Sequence, residues 1–226
     1  MYQLRILVLS FMLAFTSHIW AQPKTVAIKK ETKNFILDVK YPQGFNKGQI
    51  DQAVKAFITK VKNAQDMSDS DPLTANLPGK NSLYIDYKIA FQNDHAVSLL
   101  FNISTYSRGA AHPNNTVKTM NFIDGKQIGL SNLFKPNTNY LTEIANYCRT
   151  KLLKMENADE KWVNEGTQAI NKNYKNWNFN DQGLAIIFDT YQVAAYVYGP
   201  QTIIIPQSSL ATSLRLDIQK AVWGNA

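Results

Sequence analysis

Leu83, Ile85, Tyr87, Ile89 and Phe91 alternate with polar or small neighbours, and Val97, Leu99, Phe101 and Ile103 do the same beyond Asn93-Asp94. A period of two over such lengths predicts two strands joined by a tight turn, each with one buried face. Residues 26–30 and 34–41, where Phe35, Leu37 and Val39 alternate, predict an N-terminal hairpin. Residues 117–123 predict a further strand closed by Asp124-Gly125. The longest such stretch, GLAIIFDTYQVAAYVYGPQTIIIP over 183–206, predicts three consecutive strands. Asp189-Thr190 and Gly199-Pro200 break it, because Gly accepts unusual dihedrals and Pro cannot donate into a central ladder. In that reading Tyr196 and Tyr198 lie on one face of the middle strand.

Other segments carry a period near 3.6. Ile50, Val54, Phe57, Ile58 and Val61 predict a helix that starts at Asn46 or Lys47, with Asn as a good cap, and ends by about Gln65. Leu141, Ile144, Cys148, Leu152 and Met155 predict a second, and Val163, Ile170 and Tyr174 a third. Ser208 or Ser209 is expected to cap a last short helix carrying Leu210, Leu214 and Ile218. Residues 66–80, DMSDSDPLTANLPGK, form the longest loop candidate. This order predicts an α+β fold, an antiparallel sheet of hairpins and meander with helices packed on one face. Residues 22–106 and 107–226 are expected as two α+β subdomains packed into one compact unit.

The first 21 residues stand apart. MYQLR is a short basic start, residues 6–20 are an apolar run, and Ala21 is a small residue suited to cleavage, so a secretory signal is expected. The run is short for a bilayer span and is interrupted by Ser10, Thr16, Ser17 and His18, so no membrane span is expected after cleavage. The location implied is periplasmic or secreted. Cys148 is the only cysteine, which excludes an internal disulfide, and its apolar helical setting predicts a buried, inert thiol. Losing Arg5 lowers the formal net charge from +7 to +6, with the lysines scattered and no Arg-rich run. That pattern gives no nucleic-acid footprint and suits either attraction to anionic envelope polymers or lipid headgroups, or a charge that merely keeps a soluble protein dispersed.

Of the histidines beyond the signal, His95 follows Asp94 in a turn and reads as solvated. His112 sits in SRGAAHPNN with Arg108, Asn114 and Asn115, donor-rich groups that recognise carboxylates, amides and sugar hydroxyls. The alternative role for His112 is to bond loop backbone and shape the strand crossover. No HExxH or comparable spacing is present, so neither a metal site nor another cofactor is expected. A triad of Ser104 or Ser107 with His112, or paired carboxylates from Asp86, Asp94 and Asp189, can be drawn on paper, but no nucleophile elbow supports the first and no motif the second. Tyr84, Tyr87, Tyr191, Tyr196, Tyr198, Trp162 and Trp177 suit sheet packing or a binding platform. The candidate binding residues are Arg108, His112, Asn114, Asn115, Tyr196 and Tyr198.

GAAHP at 109–113, MNFIDGKQIGLSNLF at 120–134, and residues 183–210 together resemble the RsiV-type extracytoplasmic domain, with a looser likeness over 26–105 to the domain that usually comes before it. That domain forms the outer part of lysozyme-sensing anti-sigma factors and accompanies some peptidoglycan deacetylases. Family members often carry a second glycine where this chain has Ala110, and sometimes a proline where it has Ala194 or Ala195. The resemblance implies a free-standing, non-enzymatic envelope module. Its expected partner is peptidoglycan or another anionic envelope glycan, which suits the positive charge. The alternative is a lysozyme-like protein, bound by an inhibitor or sensor. A wall hydrolase is the third class.

Overall fold

The computed structural model describes residues 22–65, 77–156 and 158–224. The expected signal segment and most of the 66–80 loop lie outside these residues. The chain forms the α+β fold expected, built on two sheets rather than one. The first has six strands in sequence order: β1 Lys24–Glu31, β2 Phe35–Gln43, β3 Asn81–Gln92, β4 Ala96–Tyr106, β5 Asn114–Ile123 and β6 Lys126–Gln127. Every neighbouring pair is antiparallel except β2 and β3, which run parallel because helix α1, Gly48–Asn63, carries the chain back between them.

Alternation then sorts the side chains. Leu37, Val39, Leu83, Ile85, Leu99, Phe101 and Phe122 bury against Ile50, Val54 and Ile58 of α1. Asn46 does not cap α1; Lys47 takes that position without a side-chain cap. Asp51 in the first turn instead accepts from the Gly44 and Phe45 amides at 3.0 and 3.2 Å.

The second sheet has three antiparallel strands, β7 Trp177–Asn180, β8 Gly183–Phe188 and β9 Gln201–Pro206. Its core takes Ile144, Cys148 and Leu152 from α2, Tyr140–Leu152, Val163 from α3, Glu160–Gly166, and Ile218 and Val222 from α5, Leu216–Trp223. The helices are therefore shared between the sheets, α1 against the first and α2, α3 and α5 against the second. Burial pushes the Cys148 thiol up to about 12, which keeps it protonated and inert, as its apolar setting predicts. Among the described residues no helix is long and apolar enough to cross a membrane.

Three expected elements are differently made. Ile170 and Tyr174 do not extend α3, which stops at Gly166; a short 3₁₀ turn at Asn171–Tyr174 follows, with Tyr174 buried and Ile170 exposed. The last helix is split into α4, Gln207–Leu210, and α5. The chain between them is drawn straight by two bonds, Lys135 N to Ser213 O and Arg215 N to Leu133 O. The middle strand of the 183–206 stretch is a loop, treated below.

β7 is an edge strand, and its outer backbone groups are buried against the first sheet. Thr119 Oγ1 accepts from Trp177 N at 3.1 Å, Ser98 Oγ accepts from Phe179 N at 2.8 Å, and Asn121 Nδ2 donates to Trp177 O at 2.7 Å. Asn178 Nδ2 donates back to Asn121 Oδ1 at 3.0 Å and to Leu99 O at 3.2 Å. The bulge between Ile89 and Phe91 turns Phe91 to the same side, 6.0 Å edge-on to Phe179.

Removing a member of this junction strands buried partners. Asn121→Ala is expected to lower unfolding free energy by about 2–4 kcal/mol, read from a denaturant midpoint. A separate surface network makes a pH prediction. Hydrogen bonds from Lys47 and then His95 hold Asp124 below the usual carboxylate range. A depressed folded pKa gives stability that is present above the unfolded pKa and lost as pH falls through the folded one. Asp124 is over half exposed, so Asp124→Asn should cost under about 1 kcal/mol at neutral pH. That gap should close as pH falls from about 5 toward about 2, followed by thermal melts.

Candidate functional site

The loop between β8 and β9 departs from the strand its alternation predicts because Gln192 turns inward. Asp189 N donates to Gln192 Oε1 at 3.1 Å, and Gln192 Nε2 donates to Asn173 O at 2.9 Å and Gly166 O at 3.1 Å. Val193 buries beside it. Gly166 is required by this docking, since a Cβ there would stand 2.0 Å from Gln192 O. Tyr196–Tyr198 is a 3₁₀ turn, closed by Gly199 at φ 62°. Three residues per turn point positions 196 and 198 in different directions, so the shared face expected of Tyr196 and Tyr198 is not formed.

Tyr191, at φ 66° and 52 % exposed, stands at the start of this loop. Its ring lies 5.4 Å from Tyr196 and 6.5 Å from His112, with Trp162 edge-on at 6.4 Å. His112 and Tyr196 pack at 4.2 Å between centroids. Pro113 O receives both the Tyr196 hydroxyl at 2.9 Å and His112 Nδ1 at 2.9 Å. A carbonyl only accepts, so Nδ1 carries the proton and Nε2 is the acceptor in the neutral ring; it faces Tyr191 Oη at 3.4 Å. Asn115 Nδ2 donates to Tyr196 Oη at 2.8 Å. Asp189 fixes the loop to the first sheet, accepting from Val117 N at 2.9 Å and meeting Lys175 at 3.3 Å.

Asn115 opens onto a groove of about 450 Å³ on the face of the first sheet opposite α1. Strand register places Asp38, Tyr84, Ser104 and Asn115 in one row, and Asp86 and Asn102 in the next. At about 4.8 Å per strand the row runs for roughly 14 Å. Lys40 joins the polar floor, Pro200 closes the end under the loop, and Tyr84 is 43 % exposed. Flat rings beside carboxylate, amide and hydroxyl groups form a surface able to stack a ring and bond its substituents.

The structure thus gathers His112, Asn115 and Tyr196 of the sequence candidates. Asn114 is exposed at the first position of β5. Arg108 is only 6 % exposed, its amide donating to Asn81 Oδ1 at 2.7 Å. Tyr198 borders a different hollow with Leu152, Met155 and Val193. Sequence reasoning left Tyr191 and Trp162 among aromatics suited to packing or a platform without choosing them as site residues, and missed the groove altogether. The polar partners of the alternating strands, Asp38 and Lys40, Tyr84 and Asp86, Asn102 and Ser104, were the available signal. His112 bonds Pro113 and Tyr191, with no serine among its partners in the described residues. Among the described residues no three His, Cys, Asp or Glu side chains gather as a metal site would require.

Removing the Gln192 clamp should release the cluster. Gln192→Ala is expected to speed amide exchange through residues 189–199 and to abolish the Tyr191–His112 ring contact in nuclear Overhauser spectra, with the first sheet unaffected.

Comparisons with known proteins fall on the two halves of this site. Residues 28–115 match the family profile described as Deacetylase PdaC, and residues 131–208 match Protein of unknown function (DUF3298). The chain is 32 % identical over 187 residues, 81 % of its length, to Peptidoglycan-N-acetylmuramic acid deacetylase PdaC of Bacillus subtilis (strain 168), and spans 40 % of that relative's length. Its fold is similar to that of a DUF3298 family protein from Pseudomonas aeruginosa PAO1, with TM-score 0.61 at 13 % identity, covering 87 % of this chain and 96 % of the other. It is similar also to a DUF3298 member from Bacteroides fragilis NCTC 9343, with TM-score 0.56 at 14 % identity, covering 87 % and 94 %. The expectation of a non-enzymatic module is overturned, because both the relative and the profile over 28–115 are named for a deacetylase. That expectation came from the resemblance, with no supported catalytic motif against it, and catalytic groups need share no local spacing. Of the expected resemblance, the deacetylase-associated part is what these matches carry: the chain is similar to a peptidoglycan deacetylase across four-fifths of its length.

Proposed function

We propose that this protein acts at the bacterial cell wall, outside the cytoplasm, and holds a peptidoglycan glycan strand in the groove for deacetylation chemistry. The observation that carries this is the composition of one site from two segments. Asp38, Tyr84, Asp86, Asn102, His112 and Asn115 come from the stretch similar to Deacetylase PdaC, whereas Tyr191, Tyr196 and Pro200 come from the DUF3298 stretch. Neither segment makes the surface alone. A trough about 14 Å long takes a few sugar rings in extended form, with acetamide and hydroxyl groups facing the Asn and Asp side chains. The positive formal net charge, +7 for the whole sequence and +6 without the first 21 residues, favours encounter with a polyanionic wall and makes retention salt-sensitive.

Purified protein is expected to be retained on isolated peptidoglycan sacculi, less so as salt rises. Tyr191→Ala and Tyr196→Ala should each weaken retention about three- to tenfold, and Asn115→Ala comparably, with unchanged melting curves. Retention unmoved by all three variants would sink the assignment of the groove. Salt-resistant capture by immobilised lysozyme, with no binding to sacculi, would replace the glycan with a protein partner.

A further inference from the structure

A second cleft, of about 330 Å³, opens between the two sheets on the other side of Asp189's anchor, where β7 crosses β5. Trp177 and Tyr174 contribute to its floor, and residues 128–131 form one wall. Its lining is unbalanced in charge and in hydrogen bonding. Lys118, on β5 in register with Phe101, and Lys175, paired with Asp189 at 3.3 Å, both border it, and no Asp or Glu lines it. The side chains of Lys118, Gln127, Ser131 and Asn171 engage no hydrogen-bond partner among the described residues. The protein itself shows what this edge of β5 accepts. Val117 N points outward and is satisfied by the Asp189 carboxylate at 2.9 Å. Alternation along an antiparallel ladder turns Thr119 N toward the same edge, and Thr119 lines the cleft.

We propose that this cleft binds an oxyanion, a carboxylate or a phosphate, carried on a small or polymeric envelope ligand. The outward backbone amide and the amide, hydroxyl and ammonium groups around it supply donors in excess, and the carboxylate an anion would compete with there is that of Asp189, already shared between Lys175 and the Val117 amide. Lys175 gives part of its charge to Asp189 at 3.3 Å, so ligand binding here loads the same anchor that fixes the loop of the first site. The site is separate from the groove, and either could fail without the other.

The test is a nuclear magnetic resonance titration of the purified protein with inorganic phosphate, N-acetylmuramic acid and, as the neutral sugar, N-acetylglucosamine. Side-chain amides of Gln127 and Asn171 report on the cleft, those of Asn102 and Asn115 on the groove. Phosphate or N-acetylmuramic acid should shift the cleft signals while N-acetylglucosamine leaves them in place. The tighter of the two anions then tells a phosphate-bearing polymer from the carboxylate of the wall sugar. The double variant Lys118→Ala/Lys175→Ala should weaken that binding about tenfold or more, and Asn171→Ala severalfold, with melting curves unchanged. Cleft signals that stay still with both anions, that shift equally with the neutral sugar, or that shift undiminished in both variants would overturn the proposal. Shifts confined to Asn102 and Asn115 would do so too, while supporting the groove.

Discussion

Trp177 and Phe179 present three backbone groups to the first sheet in a place that water does not reach, and no strand runs beside β7 to pair with them. An unpaired buried amide or carbonyl costs about as much as a lost hydrogen bond, so such an edge must be answered by side chains. Thr119, Ser98 and Asn121 answer it from within β4 and β5, at positions where apolar residues would pack but could not bond. This polar seam fixes where the second sheet lies on the first, down to the residue. Asn93 adds a second tie, donating to the carbonyls of Ala221 and Val222 at 3.0 and 2.9 Å and so holding the end of α5 to the β3–β4 hairpin.

The site follows from that placement. The second sheet covers only part of the face that α1 leaves open, and what remains uncovered is polar because it meets water. An exposed sheet face alone would be a solvated surface. It becomes a groove because the β8–β9 loop stands at its end, and the loop stands there because Gln192 satisfies carbonyls of two other segments and Asp189 grips Val117. Tyr191 holds a left-handed backbone conformation that bulky residues disfavour, and the surrounding bonds fix it there.

How much of this the sequence discloses differs between elements for physical reasons. The β3–β4 hairpin is legible because one face is buried throughout and the turn residues are polar, so period two persists for the whole length. The α+β class and the buried thiol are legible for the same reason. Residues 191–198 mislead because Val193 and its neighbours alternate as a strand would, while the bonds that curl the chain come from Gln192 to Gly166 and Asn173, far off in sequence. The seam is similarly hidden, since Ser98 and Asn121 look like ordinary outward residues until β7 is set against them. His112 and Asn115 were found from side-chain chemistry in a loop. Tyr191 was overlooked as a site residue because its role depends on a fold that brings residues 79 positions apart into contact.

Asp189 connects these levels. Its two carboxylate oxygens reach in different directions, one to the Val117 amide and the other to Lys175. Val117 borders the groove, Lys175 borders the cleft, and Asp189 itself begins the turn that carries Tyr191. The side chain is largely buried, so its bonds are less screened than those of a surface pair. The groove and the cleft therefore meet at one residue, whose two oxygens tie the β8–β9 turn to β5 on one side and to Lys175 on the other.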